Sequence, residues 1–218
     1  MQHDKFAFIS DFDGTITERD FYKIVIDKYL PEMGKELRTA WLNKEYTDRD
    51  FLTIIFSNIN ISEEQLLQEI LQIPMDTTAF DVIKAIQDAG GTFVILSAGT
   101  SYYIQPLLEH YGLKNVIVYS NLGEYKDGGI HLVTDEKAPF YSDFYGINKE
   151  KVVKFLKKQF PAIYYAGDSA PDINPCKHAD IAFAKGALQG MLDRQHIDYV
   201  PITKYQEIYD VLKEKGVL

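Results

Sequence analysis

The sequence holds a single cysteine, Cys176, in 218 residues. A lone thiol closes no internal disulfide, so a cystine-stapled secreted domain is excluded. Positive charge is scarce as well: 23 Lys and Arg stand against 32 Asp and Glu, a formal charge of −9. An acidic surface repels a phosphate backbone, and no Lys/Arg stripe interleaved with aromatics offsets it, so no nucleic-acid partner is expected. No apolar run approaches the ~18–20 residues that span a bilayer, so no membrane association is expected. The opening MQHDKFAFISDFD has a charge on either side of a short apolar run and does not read as a secretory signal. The expected location is the cytoplasm, with no obligate protein partner evident. His3, His110, His131, His178 and His196 show no paired ligand spacing, and Cys176 and His178, two residues apart, read as packing.

What is present is the composition of a folded domain, 46% hydrophobic and 25% charged, at a length that allows one large domain or one domain with an insertion. Five short apolar runs end abruptly in polar or glycine residues: Phe6–Ile9, Phe93–Leu96, Val116–Tyr119, Ile163–Ala166 and Ile181–Ala184. Continuous rather than alternating apolar runs suit strands buried on both faces. Helical patterns lie between them at Asp81–Ala89, Tyr102–His110, Lys149–Gln159 and Lys204–Lys215. The alternation predicts an α/β fold with a doubly wound parallel sheet. From about Glu18 to Pro74 the alternation stops, and only helical segments follow: Phe21–Leu30, Lys35–Leu42, Asp48–Ser57 and Ser62–Gln72, the last with a capping-box opening. This reads as a helical insertion, residues 17–75, in a core formed by 1–16 and 76–218. Placed directly after the first strand, it is expected above the carboxyl ends of the strands, where open α/β sheets bind ligands. Lys126-Asp127-Gly128-Gly129 predicts a hairpin.

The chemistry-bearing residues cluster at strand ends. Asp11-Phe12-Asp13-Gly14-Thr15 closes the first strand with two carboxylates two residues apart, a juxtaposition that needs a cation or a proton to compensate it. Ser97-Ala98-Gly99 closes a second strand, Lys149 opens a helix, and Gly167-Asp168-Ser169-Ala170-Pro171-Asp172 closes another strand. Each alone has an ordinary reading, as a helix cap, a surface lysine or a turn. Together they bring polar groups to one edge of the sheet.

In this order the motifs resemble those of the haloacid dehalogenase superfamily of phosphatases, and the helical insertion resembles the cap of its phosphoserine-phosphatase-like subclass. The resemblance implies a Rossmann-like core and the hydrolysis of small phosphomonoesters. It implies that Asp11 is the nucleophile that becomes an aspartyl-phosphate and that Asp13 is the acid and then the base. Ser97 and Lys149 would hold the phosphoryl group. Mg²⁺ would be bound by Asp11, Asp168 and the backbone carbonyl of Asp13, with Asp172 supporting the metal through water or orienting Lys149. Four carboxylates and a phosphate dianion carry six negative charges against one positive charge from Lys149, and an all-oxygen set suits Mg²⁺ rather than Zn²⁺. Gly99, Asp20, Thr53 and Tyr102 are the candidate substrate-binding residues, with Arg49 one turn away from Thr53; Tyr102 and Tyr103, soon after Ser97-Ala98-Gly99-Thr100, are candidate walls of the pocket. Gly167-Asp-Ser-Ala-Pro-Asp172 and the run Tyr102–Leu108 are closer to the 2-hydroxy-3-keto-5-methylthiopentenyl-1-phosphate phosphatases of methionine salvage than to phosphoserine phosphatases. A phosphoserine phosphatase or another phosphatase of the superfamily, a mutase or phosphotransferase, and a non-catalytic phosphate- or metal-binding module are the alternatives.

Overall fold

The computed structural model describes residues 5–218; His3 lies outside them. Strand β1 (Phe6–Ser10) is followed by four helices, α1 (Phe21–Tyr29), α2 (Pro31–Leu42), α3 (Asp48–Ser57) and α4 (Glu63–Ile70). Then come α5 (Thr78–Asp88), β2 (Gly91–Thr100), α6 (Ser101–His110), β3 (Val116–Lys126), β4 (Gly129–Val133), β5 (Tyr141–Ser142), β6 (Gly146–Ile147) and α7 (Lys149–Leu156). The chain ends with β7 (Ile163–Gly167), a 3₁₀ turn (Ala170–Asp172), α8 (Ile173–Cys176), β8 (Ile181–Ala184), α9 (Ala187–Asp193), β9 (Val200–Pro201) and α10 (Gln206–Glu214).

Seven strands form one sheet in the order β4-β3-β2-β1-β7-β8-β9, parallel except for the β3–β4 hairpin. Every residue of β1 and β7 is buried, the condition that the continuous apolar runs predict. Alternation then divides the core in two. Phe6 and Phe8 pack on one face with Phe93, Tyr164 and Phe183, whereas Ala7 and Ile9 pack on the other with Val94, Tyr165 and Leu188. Because the chain leaves β1 for β2 on one side and later reaches β7 on the other, the crevice at the carboxyl end of β1 is the switch point of the sheet.

The elements follow local chemistry. Ser62 and Gln65 form the expected capping box at α4. Helix α2 begins at Pro31, four residues before the predicted start, because proline at the first helical position needs no partner for a missing N–H. Asp127 and Gly128 both take positive φ, the conformation of a two-residue hairpin turn. Strand β2 runs past the predicted end at Leu96 as far as Thr100, with its register on β3 shifted between those residues; this irregularity carries Ser97 and Gly99. The two-residue strands β5, β6 and β9 are too short to leave a periodic signal. A lone antiparallel bridge, Thr17 to Met75, joins the two ends of the stretch that holds α1–α4. Among the described residues no helix is long and apolar enough to cross a membrane.

Candidate active site

The first functional loop leaves the central strand directly. Asp11 N–H donates to Ala166 O at 2.8 Å, the last link of β1 to its neighbour, and the chain then folds on itself as the N–H groups of Thr15, Ile16 and Thr17 all reach Phe12 O. Phe12 is fully buried, while Asp11 and Asp13 on either side of it both line one cavity of about 300 Å³. Their spacing thus yields a common direction although β1 has already ended at Ser10.

The two carboxylates are held differently. Asp11 Oδ1 accepts from Lys149 Nζ at 2.8 Å and from Phe12 N–H at 2.7 Å. Asp13 Oδ1 accepts from Phe21 N–H at 3.1 Å, and its Oδ2 from the Tyr103 hydroxyl at 2.5 Å and from Ser97 Oγ at 3.4 Å. Burial, helped by Asp172, holds the Asp11 carboxyl well above the usual range against the pull of Lys149. Burial pushes Asp13 up to about 6, opposed by the Tyr103 hydroxyl, so Asp13 can both carry and release a proton near neutral pH.

Lys149, the first residue of α7, is 3% exposed and bridges Asp11 and Asp172, the latter at 2.7 Å. Burial lowers its pKa, but the two carboxylates outweigh that and keep it charged. Asp172 has both oxygens engaged: Oδ1 accepts from Lys149 and from the Tyr165 hydroxyl at 2.6 Å, and Oδ2 from the N–H groups of Asp168 and Ser169. Of its two expected roles, these contacts describe the orientation of Lys149. Asp168 is half-buried, accepts from Thr15 Oγ1 at 3.3 Å, and is pushed up to about 7 by burial and by Asp172. Carboxylate oxygens of Asp11, Asp168 and Asp172 lie within 4.8 Å of one another. Such mutual repulsion with hard oxygen donors is what a small divalent cation relieves. This is the one such group of ligand residues among the described residues.

The remaining candidates divide. Asp20 and Gly99 line the cavity. Asp20 is ion-paired with Lys23 three residues on, and the Gly99 N–H donates to Ser97 Oγ at 2.9 Å. Thr53 and Tyr102 are not brought to it. Thr53 Oγ1 turns back to Arg49 O, and the Tyr102 hydroxyl donates to Glu63 at the start of α4. Arg49 faces a separate hollow, where it donates to the Tyr141 hydroxyl. In place of these residues the walls are Tyr22, Trp41, Asp48, Leu52, Phe56 and Tyr103, of which sequence reading named Tyr103 alone, beside Tyr102, as a candidate wall. Helical periodicity offered one of them: Ile104, Leu107 and Leu108 mark the inner face of α6, and that stripe takes in Tyr103 rather than Tyr102. Cys176 is packed in the second core, and His178 Nε2 lies 3.0 Å from Glu150.

Known proteins resemble this chain in sequence and in fold. The chain is 26% identical over 214 residues to a 2-hydroxy-3-keto-5-methylthiopentenyl-1-phosphate phosphatase of Lysinibacillus sphaericus, covering 94% of this chain and 92% of that one. A protein of the same name from an Exiguobacterium species is 26% identical over 216 residues, covering 96% and 98%. A substrate-bound phosphoserine phosphatase superposes with a TM-score of 0.70 at 16% identity, covering 97% of this chain and 99% of that one, which is a likeness of fold. The profile of haloacid dehalogenase-like hydrolases matches residues 8–174, a span that runs from the central strand through Asp11, Lys149 and Asp172, and the chain belongs to that family.

Proposed function

We propose that this hydrolase is a Mg²⁺-dependent phosphatase of small phosphomonoesters that works through an aspartyl-phosphate on Asp11. The observation that carries the reading is the unequal treatment of two carboxylates facing one cavity: Asp11 is paired with a buried lysine cation, whereas Asp13 accepts from the neutral donors Phe21 N–H, Tyr103 and Ser97. One is thereby kept as a nucleophile and the other as a proton carrier. Asp11 Oδ attacks phosphorus, the ester P–O bond breaks, and the Asp13 proton passes to the departing alcohol oxygen. A water then gives its proton back to Asp13 and its oxygen to phosphorus, which releases phosphate and restores the Asp11 carboxylate. Lys149 neutralises charge beside Asp11 throughout, and Ser97 and the first turn of α7 border the phosphoryl site. Asp11 and Asp168 would hold the Mg²⁺, which when bound would stabilise charge on the phosphoryl oxygens; Asp172 would keep Lys149 in place.

For the substrate we infer a leaving group without net charge, such as the keto-bearing phosphate in the names of the relatives. Asp20 and Lys23 satisfy each other, Arg49 is engaged elsewhere, and Tyr22, Trp41, Leu52 and Phe56 make an apolar wall. Asp48 on that wall accepts from the Trp41 indole N–H at 2.9 Å. A site without partners for an ammonium and a carboxylate discriminates against phosphoserine. In this reading residues 17–75 act as a cap over a core of 1–16 and 76–218, and the single buried thiol fits the cytoplasm.

Steady-state kinetics with phosphoserine and with neutral sugar and keto phosphates tests both levels. Activity should require Mg²⁺, disappear in Asp11→Asn, and show kcat/KM at least about tenfold higher for the neutral esters, a gap of about 1.4 kcal/mol. Activity that survives chelation overturns the metal assignment, and a preference for phosphoserine overturns the substrate reading.

A further inference from the structure

Asp13 is gripped by two parts of the chain that meet only in the folded protein. The Phe21 N–H comes from the start of α1, and the Tyr103 hydroxyl comes from α6. Tyr103 is 1% exposed, and its ring lies among Phe12, Phe21 and Phe56 at centroid distances of 6.2, 5.0 and 6.1 Å. A buried phenol needs an acceptor for its proton, and here the acceptor is Asp13 Oδ2 at 2.5 Å, an oxygen to which Ser97 Oγ donates at the longer distance of 3.4 Å. Gly99 carries an independent mark of the same contact. A Cβ at that position would stand 1.7 Å from Tyr103 Oη and 2.8 Å from Asp13 Oδ2. The irregular end of β2 therefore goes without a side chain at the one point where the hydroxyl crosses it.

We propose that Tyr103 is a positioning residue whose hydroxyl fixes the Asp13 carboxyl in the orientation from which its proton reaches the leaving oxygen, with Gly99 keeping that path open. The proposal rests on the phosphatase reading above. In the step concerned, the Asp11 Oδ–P bond forms, the ester P–O bond breaks, and the Asp13 proton moves to the departing oxygen, giving an alcohol and the aspartyl-phosphate. An alkyl oxygen leaves poorly unless it is protonated, whereas a nitrophenolate leaves without help. Misplacing the donor therefore slows alkyl esters selectively, because proton transfer demands close alignment.

Tyr103→Phe keeps the ring and removes only the hydroxyl. Single-turnover formation of the aspartyl-phosphate, with Mg²⁺ present, is compared for an alkyl phosphate and for 4-nitrophenyl phosphate. In the variant the alkyl rate should fall about tenfold or more and the nitrophenyl rate less than about threefold, with an unchanged melting temperature and retained binding of beryllofluoride. Equal losses on both esters, or a full alkyl rate in the variant, overturn the proposal. A wild-type protein that transfers no phosphoryl group from either ester overturns the phosphatase reading itself, which separates the two failures.

Discussion

Lys149 shows how much a single residue carries. It is the cation that touches Asp11 and Asp172, and all three side chains are shielded from water. Removing one member of a buried ionic group leaves the others uncompensated, which costs far more than the group contributes against an apolar replacement. Lys149→Met should therefore destabilise the metal-free protein by about 3–5 kcal/mol, measured by urea denaturation at neutral pH. A loss below about 1 kcal/mol would mean that Asp11 and Asp172 are compensated by other groups. The same residue marks how far sequence reading reached. Lys149 was picked out among several lysines because it opens the helix where the resembled family's lysine resides, and the structure sets it against Asp11. Thr53 was picked by an ungapped reading of the helical insertion against phosphoserine-specific relatives and Tyr102 by its place soon after Ser97, and the actual rotation of α3 and α6 turned both away. An error of one residue on a helix is a rotation of about 100°, enough to move a side chain from the wall to the outside.

At the scale of elements, Asp76 ties together three segments distant in sequence. It follows the helical stretch, accepts from the N–H and hydroxyl of Thr78 at the start of α5, and accepts from the Tyr205 N–H just before α10 at 2.9 Å. The Tyr205 hydroxyl in turn donates to Ser10 Oγ, which donates to Asp11 O. The C-terminal helix is thus fastened to the backbone of the first functional loop. Burial alone would raise the Asp76 pKa, but its donors outweigh burial and lower it. A carboxyl depressed by folding contributes its full stability above the ordinary carboxylate value, and that contribution is lost as pH falls through the lowered value. Asp76→Asn should cost about 2 kcal/mol at pH 7, and the gap to the wild type should shrink in strong acid. Urea midpoints at pH 7 and pH 3 check this; a gap that stays constant or widens would contradict the lowered pKa.

For the whole molecule, the fold gathers carboxylates from two strand ends around a space that repels them all. Folding buries Asp168 and places it beside Asp172, which together raise its pKa from 3.8 to about 7, so its ionised form opposes the fold at pH 8. A cation that binds only the folded chain reverses this, adding about 2.7 kcal/mol at a hundredfold excess over its Kd. Thermal unfolding at pH 8 should therefore show a rise in Tm with Mg²⁺. Asp168→Asn should raise the Tm of the cation-free protein while abolishing the response to the cation. A wild-type Tm indifferent to Mg²⁺ would remove the carboxylate cluster as a metal site.

What the sequence determined by itself is the order of elements and the residues at their ends. Strands buried on both faces must be continuous apolar runs, so β1, β2, β7 and β8 and their polar termini at Asp11, Ser97 and Asp168 were legible from local pattern. Caps and breakers act within a few residues, which made the capping box at Ser62 and the turn at Asp127-Gly128 legible too. The tertiary structure alone decided which side chains from α1, α2, α3 and α6 meet over those strand ends. Tyr103 lies 90 residues from Asp13, and Trp41 and Asp48 reach the cavity from segments with no strand to fix their direction. Such contacts depend on how helices roll and pack against one another, a choice made by the whole core, and no local pattern encodes it.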